Sequence, residues 1–152
     1  MKIFLIITVL VVFIFIGFLL FYRQDDTTVL VGTIKDLESS IEKMMISTKE
    51  DAFVIATIYG TDDFIQFSGN AKNVQLDFPQ ITDRQRSMET RFRTTAKEMN
   101  LKAIENRGTG GELFLDIDLK GTAAEISVVA RSFIERFFNI TQDTKIEYKL
   151  NI

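Results

Sequence analysis

Three hydrophobic patterns follow one another along this chain, and each predicts a different kind of element. From Ile3 to Tyr22 the chain reads IFLIITVLVVFIFIGFLLFY, twenty residues without a charge. As a helix rising ~1.5 Å per residue, this run spans the ~30 Å hydrocarbon core of a bilayer. A cleaved secretory signal has a shorter apolar stretch and ends at a small-x-small site, which GFLLFYRQ lacks. The expectation is a single-pass cell-membrane anchor over residues 1–23, contacting lipid through 3–22. A short connection over 24–33 and one domain over 34–152 should follow. Arg23 is backed by Asp25 and Asp26, so the positive-inside rule has little to act on. The short Met-Lys start favours an orientation with the domain on the periplasmic or extracellular side.

Beyond the run, helical spacing alternates with strand spacing. Leu30, Ile34, Leu37, Ile41, Met44 and Thr48 form an amphipathic stripe, predicting a helix that ends near Lys49. The same spacing suits a short coiled-coil seam, although packing on the chain's own sheet explains it as well. DAFVIATIY (51–59) and DFIQFSG (63–69) flank Gly60-Thr61-Asp62, which predicts a hairpin. Val74, Leu76 and Phe78 alternate with polar residues up to Pro79, giving a third strand. Thr82-Asp83-Arg84-Gln85 is a capping box, and a helix with Met88, Phe92, Ala96 and Met99 inward should run from it to Asn100. Residues 101–106 and 113–119 predict a second hairpin around a glycine-rich turn. Thr122-Ala123-Ala124-Glu125 then opens a helix with Ile126, Val129, Ala130, Phe133 and Phe137 on one face, and Ile146, Tyr148, Leu150 and Ile152 mark a closing strand. The order α-β-β-β-α-β-β-α-β predicts an α+β domain, an antiparallel sheet with helices packed on it.

Composition narrows the chemistry. There is no His and no Cys, so the usual general base near neutral pH, the commonest transition-metal ligand and thiolate chemistry are all missing. A net charge of −3 with interspersed signs does not suit a nucleic-acid binder, which needs a clustered cationic surface. Gly108-Thr109-Gly110-Gly111 is followed by a strand, whereas a phosphate cradle needs a helix there. Asp116 and Asp118 share one face of a strand and could hold a cation or act as an acid and base pair, but alternation usually puts such acids on the wet face. Arg84, Arg86, Arg91, Arg93 and Lys97 give the second helix a cationic side, suited either to solvent or to an acidic partner. Asn139-Ile140-Thr141 matches a glycosylation sequon by pattern.

The segment AFVIATIYGTDDFIQFSG, then VQLDFP, then FLDIDLKGTAAEISVVARSFIERFF resembles the type III secretion chaperone-like superfamily, which includes the YbjN-like proteins. The resemblance covers about residues 34–140 and lies in the order of elements and in loose aliphatic patterns. The anchor and the last strand fall outside it. It implies a bacterial protein-binding module, a chaperone-like adaptor or an immunity-type protein, with no cofactor and no catalytic constellation.

The expectation is therefore a non-enzymatic, membrane-anchored module that sequesters a protein partner near the bilayer. The alternative is a structural subunit of a membrane assembly, a homo-oligomer joined through the 30–48 helix. The partner should dock on the sheet of residues 51–78, where either Phe53 and Ile55 or Val54 and Ile58 face away from the helices, as does either Phe64 or Ile65 with Phe67. Phe114 and Tyr148 should contribute beside Asp116 and Asp118, with Arg84 and Arg91 as further candidate contacts.

Overall fold

The computed structural model describes residues 27–108 and 110–152. The anchor expected over 1–23 lies outside the described residues, among which no helix is long and apolar enough to cross a membrane. The chain folds as an α+β domain whose seven strands form one antiparallel sheet. In chain order they are β1 (Thr27–Thr33), β2 (Phe53–Ile58), β3 (Phe64–Asn70), β4 (Asn73–Pro79), β5 (Ala103–Arg107), β6 (Leu113–Leu119) and β7 (Lys145–Asn151). The helices are α1 (Leu37–Ile46), α2 (Asp83–Ser87), α3 (Glu89–Glu98) and α4 (Ala123–Phe138). Across the sheet the strands run β1-β7-β2-β3-β4-β6-β5.

Two expectations are corrected at the start of the domain. Thr27–Thr33 is not a connection, and Leu30 does not begin a helix. The segment pairs antiparallel with β7, Leu30 opposite Tyr148, and a single 3-10 turn at Ile34–Asp36 leads into α1. Leu30 and Ile34 happen to be four residues apart, and the partner that makes β1 a strand lies at the far end of the chain. The coiled-coil seam is corrected with it: Ile34, Leu37, Ile41 and Met44 are fully buried in the domain's own core, so the stripe has no surface left for another helix.

Among the described residues, helices cover the sheet on one side only. Val54, Ala56, Ile65, Phe67, Leu76, Phe78, Leu115, Ile117, Ile146, Tyr148 and Leu150 point to the helical side and form one core with α1, α3 and α4. At its centre Phe92 stacks on Phe78 at 5.4 Å, while Phe133 and Phe137 meet Phe92 edge-on at 4.9 and 5.4 Å. Burying each such ring contributes roughly 1.5–3 kcal/mol. Capping fixes where the helices start. The Gln85 amide donates to Thr82 Oγ1 while Gln85 Oε1 accepts from the Thr82 amide, and Thr122 and Glu125 repeat the arrangement at α4. Asn100 and Asn139 take left-handed backbone (φ 55° and 56°), and the amides after them, Leu101 and Ile140, reach back to the carbonyls of Ala96 and Glu135. The helix expected as one piece from Thr82 to Asn100 is two. Its first turn is held separately, by Arg84 on Asp63 and by Arg86 on the carbonyls of Gln80 and Ile81, and the two helices meet at Met88.

Candidate protein-binding face

The register places the outward-pointing residues of neighbouring strands in rows on the side that carries no helix. One row runs Val29, Lys149, Ile55, Gln66, Asp77, Asp116, Ile104 from β1 to β5. Beside it on one flank lie Asn151, Phe53, Ser68, Gln75 and Asp118, and on the other Glu147, Thr57, Phe64, Pro79, Phe114 and Asn106. Of the two sets left open by the sequence, Phe53 with Ile55 and Phe64 face outward, half-buried, while Val54, Ile65 and Phe67 are core.

Phe114 takes the expected place: it lies on this face, half-buried, opposite Pro79 on β4 and Asn106 on β5. Tyr148 does not. It points inward, 1% exposed, and its hydroxyl donates to the Thr33 carbonyl at 2.6 Å. Burial pushes that hydroxyl's pKa well above its ordinary value. The alternation along β7 puts Tyr148 on the same side as Ile146 and Leu150, both buried.

Asp118 is exposed and accepts from the Gln75 side chain at 3.3 Å. Asp116, expected on the wet face, is only 5% exposed, and its direct cross-strand neighbour is Asp77 on β4, 7% exposed. Asp77 Oδ2 accepts from Ser68 Oγ at 2.9 Å, while Oδ1 of Asp77 and Oδ1 of Asp116 have no hydrogen-bond partner. Two buried carboxylates at this spacing cannot both ionise cheaply. Burial raises Asp77 to about 6; Asp116 and Asp118 push it the same way, and the Ser68 hydroxyl opposes them. Burial also raises Asp116, against the effect of Asn106. Coupling between the two side chains raises Asp77 and lowers Asp116, so a proton held by the pair belongs on Asp77. Sequence reasoning missed Asp77, since only the pairing of β4 with β6, two strands distant in the sequence, brings it to Asp116.

The two arginines lie elsewhere. Arg84 forks onto Asp63 at the β2–β3 turn, with Nε 2.6 Å from Oδ1, and ties α2 to the end of the sheet. Arg91, on α3, donates to the Arg136 carbonyl at 3.2 Å, within the helical layer. Neither joins Phe114 and the acids. Among the described residues no group of three or more acidic side chains is arranged to hold a metal ion. No protein-family model, curated protein or solved structure matches this chain.

Proposed function

We propose that this protein is a binding module for another protein, and that the partner docks on the helix-free face of the sheet. The observation that carries the reading is the make-up of that face: Phe53, Ile55, Phe64 and Phe114 stand half-buried on the same side as a carboxylate pair, with no described helix over them. Partly exposed apolar groups gathered on one face and rimmed by polar ones suit an interaction site. A matching partner surface is apolar, with an amide or cationic donor placed to meet the exposed carboxylate of Asp118.

With residues 3–22 as a single-pass anchor and the domain outside, the protein works at the membrane, as a chaperone-like adaptor or an immunity-type protein holding its partner there. The apolar run supports the anchor, and the likeness in element order to the type III secretion chaperone-like superfamily supports a bacterial binding module over an enzyme. The missing His and Cys point the same way. Affinity capture of the full-length protein in detergent, compared with its Phe114→Ser variant, tests the reading. Capture should fall at least tenfold while the thermal midpoint of the domain stays nearly unchanged. Undiminished capture, or a large drop in the midpoint, would remove Phe114 from the binding face.

A further inference from the structure

The two edges of the sheet are built differently. β5 closes one edge with the sequence Ala-Ile-Glu-Asn-Arg, preceded by Lys102, so charged side chains guard it. Such charges are a common device against edge-to-edge pairing. β1 closes the other edge with Thr-Thr-Val-Leu-Val-Gly-Thr, which has no charge and no proline. Its apolar side chains are uncovered on both faces: Val29 is 55% and Val31 58% exposed on the helix-free side, and Leu30 is 40% exposed on the other.

The β1 sequence is also nearly symmetric about Leu30, and this selects the partner. A second β1 laid antiparallel with Leu30 opposite Leu30 sets Val29 against Val31, Thr28 against Gly32 and Thr27 against Thr33. Every pairing is apolar or hydroxylic, and none opposes like charges. On the helix-free face the neighbouring β7 adds Lys149 beside Val29 and Glu147 beside Val31, so the joined row reads Lys149, Val29, then the second copy's Val31 and Glu147. Opposite charges thus flank an apolar centre. Self-complementarity of one patch is the requirement of a two-fold interface.

We infer that the chain forms a two-fold homodimer by antiparallel pairing of β1 with β1 of a second copy, joining two seven-stranded sheets into one. The pairing uses the outer backbone donors and acceptors of β1, which no described strand pairs, and it leaves the helix-free face described above open in both copies.

The test uses full-length protein in mild detergent, with light scattering corrected for the micelle. The native chain should be a dimer, and Val29→Lys with Val31→Lys should raise the dissociation constant more than about tenfold, with circular dichroism and thermal midpoint retained because both side chains are exposed. A second arm does not depend on that variant folding. The chain has no cysteine, and facing residues of an antiparallel pair have Cα atoms ~4.5–5.5 Å apart, within disulfide range. Leu30→Cys should therefore cross-link to itself under mild oxidation, whereas Ile104→Cys on the guarded edge should not. A native monomer at every concentration overturns the proposal. So does a dimer that survives the double lysine substitution, or a Leu30→Cys chain that stays uncrosslinked.

Discussion

Asp77 holds its proton more tightly in the folded chain than in the unfolded one, because burial and two neighbouring carboxylates disfavour its charge. The sign of its linkage follows. With a folded pKa of about 6 against an ordinary value of 3.8, the native state binds the extra proton between those limits, so stability falls as pH rises from about 4 to about 6 and stays reduced above. A shift of this size corresponds to on the order of 2–3 kcal/mol at neutral pH. Asp77→Asn keeps a donor for Asp116 and removes the charge. Its thermal midpoint at pH 7.5 should exceed that of the native chain by several degrees, and the gap should close toward pH 4. A gap that does not change with pH would mean that the two acids do not share a proton. That a protein keeps such a pair on an uncovered sheet face fits a surface completed by a partner.

At the scale of elements, polar side chains at helix ends do much of the positioning. Thr122 caps α4, the helix that carries Phe133 and Phe137 into the core, and Thr122→Ala should cost about 1 kcal/mol, seen as a lower denaturant midpoint at unchanged slope. Asn139 sits at φ 56°, so Asn139→Gly should be neutral or better, whereas Asn139→Val should destabilise by about 1–2 kcal/mol. Both capping boxes and the Asn100 stop were legible in the sequence, since they depend on residues three or four apart, whereas Asn139 drew attention only as part of a sequon pattern and its left-handed stop was missed. Also legible were β2, β3, β4, β6 and β7, whose alternation is local. β1 was not, because its strand character comes from β7, and a chance four-residue spacing imitated a helix. The acids show the same limit. Asp116 and Asp118 could be placed on one face by counting along β6, but Asp77 comes beside Asp116 only through a pairing that no local pattern encodes.

The molecule as a whole depends on its last strand. β7 lies between β1 and β2, so the two ends of the described chain are joined through it, and Ile146, Tyr148 and Leu150 complete the core. Neither β1 nor β7 is an appendage. A chain ending at Asn139 should lose cooperative unfolding, because β1 then has no partner strand and the inner side of β2 is uncovered. Among the described residues the helices pack on one face of the sheet, and the proposed function claims the other face for the partner.

Site-specific photo-crosslinking tests that claim most directly. A photoreactive phenylalanine analogue would replace Phe64 on the helix-free face or, in a separate chain, Val128, which is 59% exposed on α4. In cells producing the full-length protein, position 64 should yield a discrete adduct with one partner, lost when Phe114→Ser is added, and position 128 should yield none. An adduct with that partner from position 128 and not from position 64 would place binding on the helical layer and contradict the account.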